Sequence, residues 1–547
     1  MPTLEWIGKE KVINHHQEVP FKIMDYKHSF SRKGISYEED LSANKIIHGD
    51  NLEALKSLLP QYEGKIKCIY IDPPYNTGNK TWVYNDDVNH PKIKKWFGEV
   101  VGKEEEDLSR HDKWLCMMYP RLKLLHKLLS DDGIIFVSID DTELPLLRII
   151  MDEIFGKTNS KTNMLSCFIW QTDGNFDNQA KVKVNHEYIL AYAKNTSFLG
   201  NLPVIDPNVG NKSKIFKEKI ENTIVKNGVK NPVSGILLPA GFPANFEKGI
   251  IQARDDVWPH YSENLIIENY KLCNPVVATS GWSSKDICQE FIDANFSAVL
   301  DSKGQNTIFH LRNTGAIYAI KERKNDYSHV VSVLRELGST QQASASLKNI
   351  QVKFDYPKPV TLVQYLISMM EDQNGIVLDS FAGSGTTAEA VLNLNKIGGN
   401  RKFILIEMED YAETITAKRV ENIVKSTDGN FAFYQLGQPL LLENNYINED
   451  VSTKKIREYI FYMETKQTLK HDRVSDNPYY LGRYNEVDFY FYYEKYKTTT
   501  LNHDFLTHIT SLAERYIIYA DLNVLSKEEL EKYNVVFKKI PRDIARL

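Results

Sequence analysis

From Lys45 onward, continuous apolar runs alternate with amphipathic stretches along the chain. KIIHG reads as a short strand. DNLEALKSLL reads as a helix, with Asp50 as its N-cap and Leu52, Leu55, Leu58 and Leu59 on one face. Residues 66–72 form a buried-type strand, closed by the turn PPYNTGN. Residues 110–130 have the spacing of a long helix. Asp131-Asp132-Gly133 is expected to break it before a strand over 133–140, and 141–155 is helical again. Strands over 165–171 and 186–193 follow. After a long lapse the alternation resumes, with a helix over 358–372, a strand over 375–380, a helix over 386–395, a strand over 402–407 and a helix over 410–425. Strands that are apolar throughout, set between helices, indicate a parallel sheet covered on both faces.

The lapse, over about 195–348, is rich in Asn, Lys, Gly and Pro and weakly periodic. The last 110 or so residues are rich in tyrosine, as in YNEVDFYFYYEKY. The parse is one interrupted α/β domain followed by a mixed α/β module. Its segments are an N-terminal strap over 1–40, a first α/β part over 41–195, an inserted module over 196–348, a second α/β part over 349–430 and a C-terminal domain over 431–547. No fixed-period repeat or low-complexity tract is visible.

Composition narrows the function classes. The chain has 547 residues, 42% apolar and 25% charged, with net charge −5. This is ordinary globular usage. It excludes a globally basic nucleic-acid binder but not a local basic groove. No apolar run approaches the roughly 18 residues of a membrane helix, and the start, MPTLEWIGKEKVINHH, shows no secretory h-region. A cytoplasmic protein is expected. Five scattered cysteines without a CxxC pair argue against a disulfide framework or a cysteine-built zinc site, and no metal is expected.

Two motifs carry chemistry. Asp72-Pro73-Pro74-Tyr75 ends a parallel-type strand, where open α/β sheets bind ligands. Two prolines stiffen the backbone and remove two donors. That leaves a carboxylate, a row of free carbonyls and an aromatic ring, which suit a planar base bearing an exocyclic amine. A rigid strand-to-loop turn with a stray acid explains the bare tetrapeptide about as well. The second motif is VLDSFAGSGTTAEAV. A strand ends in Asp379 and passes through Phe381, Gly383 and Gly385 into a helix beginning at Thr386. It is no P-loop, because the GK[ST] lysine is missing, and it lacks the third glycine of a dinucleotide fingerprint. Glu407 ends the next strand 24 residues after Gly383, where an acid holds a ribose diol. Loop and acid together favour an adenosine-containing cofactor without a pyrophosphate, and S-adenosylmethionine fits that description.

DPPYNTGN followed far downstream by DSFAGSGTT resembles the β group of DNA amino-methyltransferases. HGDNLEALK, RHDKWLCMMYPRLKLLHKLLSDDGIIFVSIDD, DEIFG, HEYILAYAK, FDYPKPVTLV, ILIEMEDYAETITAKR and the final KKIPRDIARL are similar to the adenine-specific Mod subunits of Type III restriction–modification systems. The resemblance covers both halves of the α/β domain and the C-terminal module. It implies a Rossmann-like S-adenosylmethionine-dependent methyltransferase fold with circularly permuted motif order, and an inserted target-recognition domain. It implies that Asp72, Pro73, Pro74 and Tyr75 hold a flipped adenine for methylation at N6. Phe381, Gly383 and Gly385, with Asp379 and Thr386, match the cofactor loop. Glu407 matches the ribose-binding acid, Asp50 a contact to the cofactor's adenine, and Lys358 the segment near its methionine carboxylate. The implied partners are double-stranded DNA, a second copy of the chain and a helicase–nuclease subunit. Alternatives are a solitary methyltransferase, a cytosine-N4 enzyme and a catalytically decayed recognition subunit.

Four further stretches have weaker readings. His186-Glu187 is read as strand rather than as an acid–base or metal pair, because no HExxH follows. The tyrosines of 490–496 are read as packing. The six lysines of 212–230 suit either a solvated helix or phosphate contacts. STQQASASLKNI, more polar than expected, is read as a hinge.

Overall fold

In the computed structural model, the described residues are 3–40, 43–77, 109–172, 181–204, 206–209, 213, 217–322, 329–350, 352–442, 444–469, 477–509, 511–541 and 544. Gly78 and Asn79 of the expected turn, Lys212 and Lys214, and most of the last six residues lie outside them.

The sheet explains the apolar runs. Its strands are β1 (Lys22–Ser31), β2 (Gly34–Ser36), β3 (Asn44–His48), β4 (Ile66–Ile71), β5 (Leu129–Ile139), β6 (Met164–Gln171), β7 (His186–Ala193), β8 (Val333–Leu334), β9 (Ile376–Asp379), β10 (Lys402–Glu407) and β11 (Asn430–Pro439). Their order is β2-β1-β11-β3-β10-β9-β4-β5-β7-β6-β8. The run from β11 to β5 is parallel. Successive side chains in these strands go to opposite faces. Ile47, Ile69, Ile135 and Val137 pack with α1 (Asn51–Tyr62), α2 (Arg110–Leu128) and α3 (Leu144–Phe155). Ile46, Cys68, Tyr70 and Phe136 pack on the other face. Their partners there include α5 (Val360–Ile367), α6 (Thr386–Ile397) and α7 (Lys418–Val424), which lie beyond α4 (Thr340–Asn349) in the chain.

Four readings of the pattern change. The strap contains β1, which pairs antiparallel with β11. β1 is only half-buried over most of its length, which is why its composition reads as polar. The helix α2 ends at Leu128, before Asp131-Asp132-Gly133 rather than at it: β5 begins at Leu129 and absorbs these residues as an irregularity opposite β4. β7 runs antiparallel to both β5 and β6. The hinge stretch is α4, closed by a Ser339–Gln342 capping box.

The chain divides into two compact units, Met1–Val204 with His329–Leu547, and Ile205–Ser328. The second is narrower than the expected 196–348. It is built from small antiparallel sheets around Ile236, Leu238, Phe242, Leu265, Ile267, Phe291 and Phe309. Among the described residues of its lysine stretch, Lys219–Thr223 is a strand and not part of a helix. In the C-terminal part, Phe489, Tyr490 and Phe491 are buried on a strand of a four-stranded mixed sheet and Tyr493 is buried just beyond it, so these rings pack, whereas Tyr496 is 76% exposed. Among the described residues, no helix is long and apolar enough to cross a membrane, and no cluster of three or more metal-ligating side chains is present.

Candidate active site

β4 ends at Ile71 and delivers Asp72 to the carboxyl edge of the parallel run. One carboxylate oxygen, Oδ2, lies 3.0 Å from Lys358 Nζ. The other, Oδ1, is buried with no hydrogen-bond partner among the described residues. The Pro74 carbonyl is already engaged, accepting from the indole Nε1 of Trp114 at 2.7 Å. Of the row of free carbonyls expected from the sequence, this one is occupied. The Tyr75 hydroxyl donates to Glu187 Oε2 at 2.8 Å. Lys358 Nζ sits 3.3 Å from the same Glu187 oxygen and 4.9 Å from the Tyr75 ring centroid. Asn76 follows in the left-handed region at φ 60°. Its amide donates to Glu143 Oε1 at 2.5 Å and to the Arg110 carbonyl at 3.2 Å, which pins the turn.

Electrostatics here follow from burial and this cluster. Burial raises the Asp72 pKa; Lys358 opposes that rise and Glu187 adds to it. Burial works against the Lys358 charge, but the carboxylates of Asp72 and Glu187 outweigh it and hold the ammonium above the ordinary lysine value. Burial, then Asp72 and Glu187, push the Tyr75 phenol well up, so the ring stays neutral.

The glycine loop is built around two buried carboxylates. Asp379 Oδ1 accepts from the Phe381 amide at 3.0 Å and Oδ2 from the Thr387 hydroxyl at 2.5 Å. Glu407 Oε2 accepts from the Gly383 amide at 2.8 Å and Oε1 from the Glu409 amide at 3.0 Å. Burial raises Asp379 to about 7 and Glu407 to about 8, against these same hydrogen bonds. Gly383 and Gly385 both sit at positive φ, 51° and 83°. Arg419 fixes the loop from α7. It donates to Ser384 Oγ at 2.7 Å and Thr386 Oγ1 at 2.9 Å, and pairs with Glu389 at 2.8 Å.

The two motifs share one cavity of about 260 Å³. Asp72, Pro73, Pro74, Tyr75, Glu187, Lys358, Asp379, Phe381, Gly383 and Thr386 all line it. Phe381 also lines a second, smaller cavity of about 40 Å³, together with Asn51, Arg121, Ser380, Glu407 and Tyr411. Thus ten of the twelve residues singled out in the sequence line these two cavities. Asp50 and Gly385 line neither. Asp50 Oδ1 caps α1 through the amides of Leu52 and Glu53, and its Oδ2 lies 3.4 Å from Arg121. A Cβ on Gly385 would meet the Thr416 carbonyl oxygen at 3.3 Å, so that glycine serves helix packing.

Glu187, read from the sequence only as strand, and Asn51 and Arg121, which no motif marks, have clear positions. Glu187 arrives because β7 is antiparallel: Tyr188 pairs with Ile139, so the start of β7 meets the carboxyl end of β5. Asn51 joins three elements, donating to the Ser380 carbonyl at 3.3 Å and accepting from Arg121 Nε at 2.5 Å. Arg121 is the one signal that was available, a charge on the buried side of a leucine-rich helix.

Residues 66–418 match a family model described as DNA methylase. The EcoPI Mod subunit of a Type III restriction–modification enzyme, from Escherichia phage P1, is 32% identical over 78% of this chain and 68% of its own length. The StyLTI Mod subunit of Salmonella typhimurium is 32% identical over 79% of this chain and 62% of its own length. The Type II methyltransferase M.KpnI of Klebsiella pneumoniae is 30% identical over 67% of this chain and 81% of its own length. The matched region therefore spans about two thirds of the length of these Mod subunits.

Proposed function

Since this chain belongs to the DNA methylase family, we propose that it methylates adenine at N6 in a specific sequence of duplex DNA. We further propose that it is the modification subunit of a Type III restriction–modification system in the cytoplasm. The observation that carries this reading is the shared cavity, in which the Asp72 oxygen without a partner among the described residues and the Gly383 loop line one space.

The methyl donor would be S-adenosylmethionine, which supplies an electrophilic methyl on a sulfonium. The residues fit it. The Gly383 backbone lines the cavity without a side chain, and the Ser380 hydroxyl at the second cavity is buried with no hydrogen-bond partner among the described residues. The segment 379–383, Glu407 and Asn51 would hold it. Asp72 Oδ1 and the Pro73 carbonyl accept the two N–H bonds of a flipped amine. That draws the nitrogen lone pair out of conjugation with the ring. Tyr75 offers a stacking face, worth about 1–3 kcal/mol against the few kcal/mol that flipping costs. Alignment of the amine does the rest, because no covalent enzyme intermediate is needed.

The unit Ile205–Ser328 is assigned the reading of the DNA sequence. The active assembly is a dimer of this chain, and cleavage of DNA belongs to a separate helicase–nuclease subunit. Nucleoside mass spectrometry of unmethylated duplex DNA incubated with protein and S-adenosylmethionine tests the reaction. New N6-methyladenine upholds it. N4-methylcytosine overturns the target base, and no modified base from folded, donor-binding protein overturns the activity.

A further inference from the structure

We propose that Glu187 and Lys358 are positioning residues that bracket the Asp72 carboxylate with opposite charges and hold the Tyr75 ring. In this way the base pocket is assembled before a base enters it. The proposal rests on the reading of Asp72 and Tyr75 as the base-binding pair.

Three side chains from distant parts of the chain meet here, two carboxylates and one ammonium. Lys358 Nζ bridges Asp72 at 3.0 Å and Glu187 at 3.3 Å. The bridge uses Asp72 Oδ2 and leaves Oδ1 as an acceptor for an incoming amine. Glu187 takes the phenol proton of Tyr75 as a hydrogen bond, and Lys358 lies 4.9 Å from the centroid of the same ring. The ring is therefore fixed at its tip and attracted at its face. Lys358 also reaches the cofactor half, because its backbone carbonyl accepts from the Thr386 hydroxyl at 3.4 Å. A single residue thus ties the glycine loop to the base pocket. The charged and titratable groups that face Asp72 are Lys358 from the segment before α5, Glu187 from β7, Tyr75 from its own loop, Tyr70 from β4 and Asp379 from β9.

The opposite charges give opposite expectations. Glu187→Gln keeps an acceptor for Tyr75 but removes a negative neighbour, so Asp72 should titrate lower. Lys358→Met removes the cation and leaves two carboxylates facing each other, so Asp72 should titrate higher. Each shift should be about 1 pH unit. Lys358→Arg, which keeps the cation, should restore a titration close to that of the wild type. A purely structural role for either residue would not move one carboxylate in two directions.

The test is carbon-13 NMR of the full chain labelled at aspartate side-chain carboxyls, with Asp72→Asn assigning the resonance. pH–rate profiles of methyl transfer are measured in parallel. Opposed titration shifts, with the acid limb of the rate profile moving the same way, uphold the proposal. Shifts of one sign, or none, overturn it whatever the activity. Should Lys358→Met not fold, the isosteric Glu187→Gln decides alone: a downward shift upholds the bracket and an unchanged titration overturns it. Opposed shifts in wild-type-like protein that methylates no base uphold the bracket and overturn the methyl-transfer reading instead.

Discussion

The indole of Trp114, buried in α2, donates its N–H to the carbonyl oxygen of Pro74 at 2.7 Å. A helix on one face of the sheet thereby fixes the backbone between the two residues assigned to the base, Asp72 and Tyr75. Pro74 lies beyond the end of β4 at Ile71, so this carbonyl is outside the strand ladder. Trp114→Phe keeps most of the packing and removes the bond. It should lower methyl transfer about tenfold, from a lost hydrogen bond of about 1–3 kcal/mol. Donor affinity by calorimetry should be unchanged. A variant with wild-type turnover would show that the indole only packs.

Tyr75 separates two contributions. Tyr75→Phe keeps the ring and loses the hydroxyl held by Glu187 at 2.8 Å. Tyr75→Ala loses the ring as well. Stacking of about 1–3 kcal/mol corresponds to roughly 5- to 150-fold. The alanine variant should therefore lose that much more turnover than the phenylalanine variant. Fluorescence of 2-aminopurine placed at the target position should report a less stably held base in the alanine variant. Equal losses in the two would remove stacking from the mechanism.

The two glycines of the loop have different jobs. Gly383 lines the cavity and donates its amide to Glu407 at 2.8 Å. Gly385 sits at φ 83° beside the Thr416 carbonyl. Gly385→Ala should cost about 1–2 kcal/mol of stability, from a side chain in the left-handed region. It should leave donor affinity within threefold. Gly383→Ala should weaken donor binding at least tenfold. Urea unfolding and calorimetry on both variants check this, and the same affinity loss in both would return Gly385 to the binding surface.

How much of this was legible follows from what periodicity encodes. An apolar run marks a strand, and strand 402–407 was placed to the residue. A cap is local, so Asp50 was placed as well. Strand direction is not local. Nothing in HEYILAYAK says that its first residues land beside the carboxyl end of β5, so reading His186-Glu187 as plain strand gives Glu187 no place in the site. β1 was missed because a half-buried strand need not be apolar. Hydrogen bonds such as Trp114 to Pro74 join residues on separate elements and leave no spacing in the sequence.

Glu407 makes stability depend on pH. Its folded pKa of about 8 lies well above the ordinary carboxylate range, because burial disfavours the charge. Between the unfolded and folded values the native state holds a proton that the unfolded chain releases. This contribution to stability is fully present below the ordinary carboxylate pKa and is lost as pH rises through about 8. Asp379 adds the same sign over a window ending near 7. Glu407→Gln removes the Glu407 part at a cost of about 1 kcal/mol, since one amide end meets a backbone donor. Wild type should melt above the variant below about pH 4.5, and the order should reverse as pH rises towards about 8.5, where wild type has lost this contribution and the variant has not. A gap that is constant with pH would show that Glu407 is ionised throughout.

Arg419 is the last determinant of the loop. It is buried, and it reaches Ser384 Oγ at 2.7 Å, Thr386 Oγ1 at 2.9 Å and Glu389 at 2.8 Å. Removing it leaves the Glu389 carboxylate without its cation and two loop hydroxyls without their donor. Breaking a buried pair in this way costs about 3–5 kcal/mol, and Glu389, with 26% of its side chain exposed, places Arg419→Met at the lower end. The loop it releases carries Gly383, so donor affinity should fall at least tenfold as well. Adding Glu389→Gln separates the two effects. The double variant no longer carries the stranded carboxylate and should recover part of the stability measured in urea. It still lacks the donor to Ser384 and Thr386, and its affinity should stay low. Recovery of both together would mean that Arg419 acts only by neutralising Glu389, and not by shaping the loop.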